Sequence, residues 1–132
     1  MIVGLGTDIV DIRRVASVLE RTGQGFINRI LHQDELDENF PLSGESFSPQ
    51  LTRFVASRFA AKEAAAKALG TGFTQGVSFV DIRVISSPNG RPIVQFFEKT
   101  ALIAQSLQVT HTHISISHEK EYAVATVILE SQ

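Results

Sequence analysis

The chain has 132 residues, close to the commonest size of a single domain, and 43% of them are hydrophobic, which is enough to build a core. Without cysteine it can form no disulfide or thiolate zinc site, and a net charge of −2 gives no overall positive field to attract nucleic acid. No apolar run approaches the roughly 20 residues of a membrane helix and no signal-peptide pattern opens the sequence, so we expect one cytoplasmic domain over residues 1–132, without a nucleic-acid or membrane partner.

The first half of the chain predicts one strand followed by several helices. Residues 2–10 are rich in Ile and Val, and the glycines among them, Gly4 and Gly6, would let another backbone approach closely. Asp11 is a suitable N-cap for a helix that runs to about Glu20. The apolar stripe of that helix consists of Ile12, Val15, Ala16, Val18 and Leu19. Short helical segments are predicted around 26–31 and 33–40, and Pro41 to Gln50 is predicted to be a loop.

The second half predicts one long helix and then mostly strands. Residues 51–69 are Ala-rich, lack proline and are followed by Gly70, a residue that commonly ends helices. Strands are predicted at 77–85 and 93–96, a helix at 98–107, and a hairpin from 112–117 and 122–129. This order of elements predicts an α+β fold, in which a mostly antiparallel sheet packs against one long helix and several short helices.

Two carboxylates and a lysine are the strongest candidates for chemistry. Asp8 lies near the end of the apolar first strand, while Glu63 and Lys67 share one helix face with Phe59 because successive members are four residues apart. Carboxylates from a strand and a helix could together hold a hard divalent cation, which suits a phosphate-bearing substrate. The alternative is structural: an exposed Glu–Lys pair worth about 0.2–0.5 kcal/mol, and an aspartate that caps the next helix.

A second group of polar residues lies on the predicted strand that ends at His118. Strand alternation places His111, His113, Ser115 and Ser117 on one face, which either meets water or lines a site. His118 lies where this strand meets its turn and could donate a hydrogen bond to a phosphate. Zinc binding by His111 and His113 would need a third ligand, and no residue at a suitable spacing provides one.

Three segments together resemble the 4′-phosphopantetheinyl transferase family, in its short bacterial type, and the similarity runs over residues 1–129. They are Gly6-Thr7-Asp8-Ile9-Val10, then Phe59-Ala60-Ala61-Lys62-Glu63-Ala64 with Lys67-Ala68, and the closing Ile114-Ser115-Ile116-Ser117-His118. The resemblance implies the family's fold and the Mg²⁺-dependent transfer of 4′-phosphopantetheine from coenzyme A to a serine of apo acyl carrier protein, in support of fatty acid biosynthesis. It also implies a homotrimer with active sites between subunits.

The resemblance implies roles for individual residues as well. Asp8 and Glu63 would be the metal ligands; Glu63 would also accept the serine proton, and Lys67 would neutralise or protonate the leaving phosphate. The residues implied to bind coenzyme A are Arg58, Lys62, Arg91, Pro92, Ser117 and His118. The residues implied to bind the acidic carrier protein are three arginines around one aromatic side chain, namely Arg14, Arg21, Arg29 and Phe26.

Two other functions remain open from the sequence. A metal-dependent phosphohydrolase acting on a nucleotide would use the same carboxylates, but its acceptor would be water rather than a protein. A non-catalytic carrier-binding module would need Arg14, Arg21 and Phe26, but neither Asp8 nor Glu63. The basic stretch between residues 13 and 29 favours a protein acceptor, although such a helix face, taken without the resemblance, is most simply explained as a solvated surface.

Overall fold

The computed structural model of the protein describes residues 1–39 and 48–132. The N-terminal half contains strand β1, Ile2–Asp11, and then helices α1, Ile12–Thr22, α2, Gln24–Ile30, and α3, Gln33–Asn39. The predicted strand and the three predicted helical segments are therefore confirmed in this order. The predicted loop over residues 41–50 lies outside the described residues up to residue 47.

Helix α1 begins at the predicted cap. Asp11 Oδ1 accepts a hydrogen bond of 2.9 Å from the backbone N–H of Arg13, which satisfies one of the free donors at the start of the helix. Because α1 turns its apolar stripe to the core, Arg14 and Arg21 remain exposed on the opposite face. The buried members of the stripe are Ile12, Val15 and Leu19.

Helix α4, Pro49–Leu69, is the longest element of the described chain at 21 residues. It begins two residues before the predicted start, because Ser48 caps it by accepting a hydrogen bond of 3.1 Å from the backbone N–H of Leu51. It ends at Gly70, whose φ of 82° is left-handed, as the sequence predicted. The Ala-rich composition gives α4 a surface that other elements can approach closely.

Two glycines let β1 lie directly against α4. A Cβ atom at Gly4 would fall 2.0 Å from the carbonyl oxygen of Ala68, and one at Gly6 would fall 2.0 Å from that of Ala64. No side chain fits in either place, so the close backbone approach predicted at these positions is confirmed. It follows that any inward-facing side chain of β1 is held next to α4.

The strands form two antiparallel sheets. Strand β1 pairs with β5, Tyr122–Glu130, and β5 pairs with β4, His111–His118, in the order β1-β5-β4. Strands β2, Ile82–Ser86, and β3, Pro92–Phe96, form a separate two-stranded sheet, which is followed by helix α5, Glu98–Ser106. The predicted α+β class, with antiparallel strands against one long helix, is confirmed, but the strands are divided between two sheets.

The predicted strand over residues 77–85 is wrong in its first half. Phe79–Asp81 form a short 3-10 helix, and the strand begins only at Ile82. Ser78 Oγ donates a hydrogen bond of 2.9 Å to Asp81 Oδ2 across this turn. A local side-chain bond of this kind competes with strand pairing, so Val80 does not continue the alternation despite its preference for strands.

The two faces of the three-stranded sheet differ in their surroundings. The inner face packs on α4, and its buried members are Val10, Ala123, Ala125, Val127 and Leu129. On the outer face Leu5 and Ile9 are 65% and 66% exposed, and Val124 is 38% exposed. The residues of β4 predicted to share a face, His111, His113, Ser115 and Ser117, all lie exposed on this outer side. Within the described residues, no helix combines the length and hydrophobicity needed to cross a membrane.

Candidate active site

Asp8, Glu63 and Lys67 meet where β1 crosses α4. Asp8 faces the helix because it lies two residues after Gly6 on the same side of the strand. Lys67 Nζ lies 3.0 Å from Asp8 Oδ1 and donates a second hydrogen bond of 3.0 Å to the carbonyl oxygen of Thr7. Glu63, one turn earlier on α4, lines the same cavity of about 420 Å³ as the other two. We call this space the carboxylate cavity.

The electrostatics of the carboxylate cavity favour a cation. The pKa of the Glu63 carboxyl is raised above its ordinary value, first by burial and then by the negative charge of Asp8, while Lys67 acts in the opposite direction. Two neighbouring carboxylates in a partly buried site repel each other unless a positive charge lies close to both. Lys67 supplies one such charge, and a divalent cation would supply two.

The donor set of the cavity fits a Mg²⁺ ion that shares its ligands with a substrate. Asp8 and Glu63 offer carboxylate oxygens, the hard donors that this ion prefers. Across residues 1–39 and 48–132, no three His, Asp or Glu side chains come together as a closed metal site. Mg²⁺ is commonly held by one or two carboxylates, with phosphate oxygens and water as its remaining ligands. The two carboxylates therefore suit an ion that is completed by a phosphate-bearing ligand.

The side of the carboxylate cavity formed by α1 and α2 is apolar and basic. Phe26 of α2 lines this side, and its ring stacks on that of Phe59 of α4, which also lines the cavity, with centroids 6.1 Å apart. Arg14 lines it as well, whereas Arg21 and Arg29 are exposed on the surface outside its lining. Two of the four predicted carrier-binding residues thus lie at the mouth of the cavity, and the other two extend the basic surface along the same two helices.

A second cavity, of about 440 Å³, brings together three of the residues predicted to bind coenzyme A. Arg58, Pro92 and His118 all line it. Arg91 is exposed beside Pro92, at the start of β3. Ser117 belongs to the outer face of β4, opposite to His118, because successive residues of a strand point to opposite sides. The structure therefore separates Ser117 from the rest of this group.

The sequence did not indicate that Arg53 belongs to this second cavity. Arg53 lines it together with Ser57, one turn later on α4, and adds a second guanidinium to that of Arg58. The four-residue spacing is visible in the sequence, but nothing local shows which face of α4 the sheet leaves open. We call this space, with its two arginines and His118, the basic cavity.

Lys62 is not available to a ligand. Its side chain is completely buried, and Nζ lies 2.7 Å from Glu35 Oε1, 2.6 Å from the carbonyl oxygen of Ile30 and 3.0 Å from that of Phe79. Burial lowers the pKa of Lys62 to about 8, although the charge of Glu35 acts in the opposite direction. The structure contradicts the prediction that Lys62 binds coenzyme A, because a buried amine bonded to three protein oxygens offers no surface to a phosphate.

The carboxylate cavity and the basic cavity share no lining residue. Arg58 and Glu63 are five residues apart on α4, so their side chains leave the helix axis in directions that differ by about 140°. Within one chain, the carboxylates and the basic residues therefore face different ways. A ligand bound in the basic cavity of the same chain would point away from Asp8.

Comparison of the sequence with known proteins gives one family. The model of the 4′-phosphopantetheinyl transferase superfamily matches residues 4–127. The holo-[acyl-carrier-protein] synthase of Aliivibrio salmonicida is 49% identical over 130 residues, which are 98% of this chain and 98% of that protein. The protein of the same name from Vibrio cholerae strain M66-2 is 50% identical over 130 residues, with the same coverage.

Comparison of the structure gives the same result. The crystal structure of holo-[acyl-carrier-protein] synthase from Neisseria meningitidis matches with a TM-score of 0.86 and 36% identity, over 99% of this chain and 100% of that one. The enzyme of that name from Bacillus anthracis, solved in complex with CoA (3′,5′-ADP), matches with a TM-score of 0.79 and 42% identity, over 100% of this chain and 99% of that one.

Proposed function

The chain belongs to the 4′-phosphopantetheinyl transferase superfamily, and from that membership we infer that it acts as a holo-[acyl-carrier-protein] synthase. It transfers 4′-phosphopantetheine from coenzyme A to a serine of apo acyl carrier protein and releases adenosine 3′,5′-bisphosphate. The observation that carries this conclusion is the meeting of Asp8, Glu63 and Lys67 at one cavity. By the same reasoning the product serves fatty acid biosynthesis in the cytoplasm.

The reaction needs charge stabilisation more than covalent help from the protein. The serine oxygen attacks the phosphorus that carries the pantetheine, a new P–O bond forms, and the bond to the bridging oxygen of the leaving nucleotide breaks. Negative charge builds on phosphate oxygens during this step, so fixed positive groups nearby lower the barrier. Asp8 and Glu63 would hold Mg²⁺, which, when bound, supplies such a charge to the pyrophosphate.

The residues of the carboxylate cavity divide the remaining work. Glu63 accepts the proton that the serine hydroxyl loses, a role suited to a carboxyl whose pKa is raised by burial and by Asp8. Lys67, bonded to Asp8 at 3.0 Å, carries an ammonium group that neutralises the leaving phosphate. These are roles for groups that the fold already holds at one cavity, so no large rearrangement is required.

The basic cavity suits the phosphates of coenzyme A. Arg58 and His118 line it with Pro92, Arg91 is adjacent, and we add Arg53 to the binding set in place of Lys62. Guanidinium groups bind phosphates by paired hydrogen bonds, which makes two arginines in one cavity a suitable receptor. Ser117 remains a candidate only from a neighbouring subunit, because it lies on the outer face of β4.

A homotrimer would reconcile the two cavities. In one chain they face different ways, but the basic cavity of one subunit could meet the carboxylate cavity of the next. The outer face of the three-stranded sheet supports self-association, since Leu5 and Ile9 are 65% and 66% exposed and lie opposite Ile128 and Val124 of β5, respectively. Covering such a face in an oligomer would remove apolar surface from water.

The acidic carrier protein would meet α1 and α2. Arg14, Arg21 and Arg29 supply three positive charges, and Phe26, at the mouth of the carboxylate cavity, supplies an apolar anchor. Opposite charges on the two surfaces would speed their encounter and orient the carrier serine towards Glu63.

Incubating the chain with coenzyme A, Mg²⁺ and apo acyl carrier protein, and then weighing the carrier, tests the proposal. A gain of one phosphopantetheine is expected; nucleotide cleavage without modification of the carrier would indicate a phosphohydrolase, and binding alone a carrier-binding module. The matched variants Asp8→Asn and Glu63→Gln keep the shapes of the side chains, and each should lower turnover by on the order of 10²-fold or more. Full activity in either variant would remove that residue from the metal role.

A further inference from the structure

A buried ion pair joins α2 and α4, two of the elements that line the carboxylate cavity, to elements outside it. Lys62 on α4 and Glu35 on α3 are both completely buried, with Nζ 2.7 Å from Oε1. Lys62 also donates to the last carbonyl of α2, that of Ile30, and to the carbonyl of Phe79 in the 3-10 helix. The Glu35 carboxylate accepts from two backbone N–H groups: Oε1 from His32 at 3.0 Å, and Oε2 from Val84, the middle residue of β2, at 3.1 Å.

These contacts tie α2 to the helix that carries Glu63. Helix α2 has seven residues, too few to be stable alone, so its place depends on what holds its ends. The Lys62 ammonium caps its C-terminal carbonyl at 2.6 Å, where a positive charge also complements the helix dipole. The same helix carries Phe26 and Arg29, two of the residues that we assign to carrier docking.

A chain of stacked rings runs parallel to this pair. Phe26 stacks on Phe59 at 6.1 Å, and Phe59 stacks on Phe79 at 5.4 Å. Phe79 stacks in turn on Phe73 at 3.9 Å, so Lys62, by holding the backbone of Phe79, holds an inner member of this stack as well as the end of α2. Both of these routes lead from Lys62 to the side of the carboxylate cavity that would meet the carrier protein, and neither includes a residue that lines the basic cavity. The separate bond from Val84 to Glu35 leads into β2, whose last residue, Ser86, lines the basic cavity.

Stability alone gives a weak reason for such a pair. Removing two charges from water is costly, and well-packed neutral side chains of similar volume often stabilise a protein as well as a buried ion pair does. A neutral pair would, however, lose the hydrogen bonds from the Lys62 ammonium to α2 and to the 3-10 helix. A chain without those bonds can keep its core while α2 shifts relative to Glu63.

We propose that Lys62 and Glu35 are positioning residues for the carrier protein. Their buried pair sets the place of Phe26 and α2 against α4, so that the carrier serine docks at Glu63. The proposal rests on the proposed function and adds a role for a lysine that the substrates never touch. It requires that loss of the pair weakens carrier recognition and leaves coenzyme A recognition nearly intact.

The test compares two variants with the unaltered chain. In Lys62→Met/Glu35→Gln both charges are removed together, so no unpaired buried charge remains, and the glutamine keeps one acceptor oxygen for one of the two backbone N–H groups that bond to Glu35. Leu129→Ala, in the buried face of β5, creates a cavity far from α2 and serves as a control for destabilisation without loss of the pair. Stability by urea unfolding, KM for carrier and for coenzyme A, and equilibrium binding of fluorescently labelled apo carrier are measured for each.

We expect the double variant to raise the KM and the dissociation constant for the carrier by about tenfold, and the KM for coenzyme A by less than about twofold. Leu129→Ala should leave both KM values near those of the unaltered chain even if it unfolds at lower urea. Carrier binding by the double variant equal to that of the unaltered chain would overturn the inference, as would an equal rise of both KM values. Absence of transfer by the unaltered chain would instead overturn the proposed function, and the inference with it.

Discussion

Lys67 Nζ lies 3.0 Å from Asp8 Oδ1, so an ammonium group occupies one side of the carboxylate that we assign to the metal. Glu63 lines the same cavity one helical turn earlier. The pair is partly open to solvent, since the Lys67 side chain is 52% exposed and that of Asp8 17%. A cation that binds Asp8 would compete with this contact and release the amine towards a phosphate. Lys67 is thus both the partner of Asp8 and a candidate to neutralise the leaving phosphate.

The first prediction concerns that competition. Lys67→Met removes the competing charge, so the affinity for Mg²⁺ in the presence of coenzyme A should rise by roughly two- to fivefold, the worth of a partly exposed ion pair, while turnover falls. Isothermal titration with Mg²⁺ measures the first effect and the carrier mass assay the second. Lys99→Met, on the exposed side of α5, removes the same charge elsewhere and should change neither. An unchanged or weaker affinity for Mg²⁺ in Lys67→Met would contradict the competition.

The second prediction concerns the pKa of Glu63 in the absence of a metal ion. Burial and the charge of Asp8 raise the pKa of Glu63, so protonated Glu63 contributes stability that is present below pH 4.5 and is lost as pH rises through the raised value. Asp8→Asn should lower the pKa of Glu63 only part of the way to its ordinary value, because burial, the larger cause, remains. Carbon-detected NMR titration of the glutamate carboxyls measures it.

Glu130 provides a control of opposite sign in the same spectra. A hydrogen bond of 2.9 Å with His113 lowers the pKa of Glu130, so His113→Ala should raise it. Asp8→Asn should leave Glu130 unchanged. A Glu63 pKa that stays the same in Asp8→Asn would mean that the two carboxylates do not interact, and the shared cation site would lose its main support.

The third prediction tests the contact that holds Asp8 in place. Gly6→Ala should destabilise the protein by about 1–3 kcal/mol, because its Cβ would meet the Ala64 carbonyl and push β1 away from α4. The loss of activity should exceed the loss that unfolding alone would cause, since Asp8 moves with the strand. Gly25→Ala is the matched control: it lies in α2 with no atom near the added Cβ, and should leave stability unchanged or raise it by up to about 1 kcal/mol. Urea unfolding measures the stability of both variants. Equal unfolding midpoints for Gly6→Ala and Gly25→Ala would contradict the close packing of β1 on α4.

The fourth prediction concerns the docking surface. Arg14→Glu should slow association with the acidic carrier by about tenfold at low salt and reduce the dependence of the rate on salt, because Arg14 lies at the mouth of the carboxylate cavity. Lys99→Glu makes the same change of net charge on α5 and should alter the rate little. Stopped-flow association at several ionic strengths measures both. Equal slowing in the two variants would show a general effect of net charge and would argue against docking at α1.

The parts of the fold and site that the sequence predicts are those governed by short repeats. The two-residue period of β1 fixes the direction of Asp8, and the four-residue spacing of Glu63 and Lys67 fixes their shared face. Gly4 and Gly6 predict that another backbone approaches β1 closely, and α4 is Ala-rich where it does so. These local rules were sufficient to bring three residues of the carboxylate cavity together.

The failures come from contacts between residues far apart in the chain. Lys62 looks like its neighbours on a helix, and its burial depends on Glu35, 27 residues earlier in the sequence. A pattern along α4 cannot show that α3 brings a carboxylate to that face. The strand predicted from residue 77 fails for a related reason: Lys62 binds the carbonyl of Phe79 and holds a turn where Val80 alone would favour a strand.

The fifth prediction tests whether active sites lie between subunits. The carboxylate cavity and the basic cavity share no residue, so a chain with Asp8→Ala keeps an intact basic cavity, and one with Arg58→Ala keeps intact carboxylates. Each variant alone should be nearly inactive. When the two are denatured, mixed in equal amounts and refolded together, about a quarter of the sites should combine two intact halves, and about a quarter of the full activity should return.

The control for this mixing experiment pairs two defects in the same cavity. Asp8→Ala mixed with Glu63→Ala should stay inactive, since every site then lacks one carboxylate. Native mass spectrometry establishes that mixed oligomers form and counts their subunits, with three expected. If mixed oligomers form but activity does not return for Asp8→Ala with Arg58→Ala, each chain must complete its own site. The basic cavity would then have to reach Glu63 by a rearrangement around α4, against the roughly 140° that separates Arg58 from Glu63 on that helix.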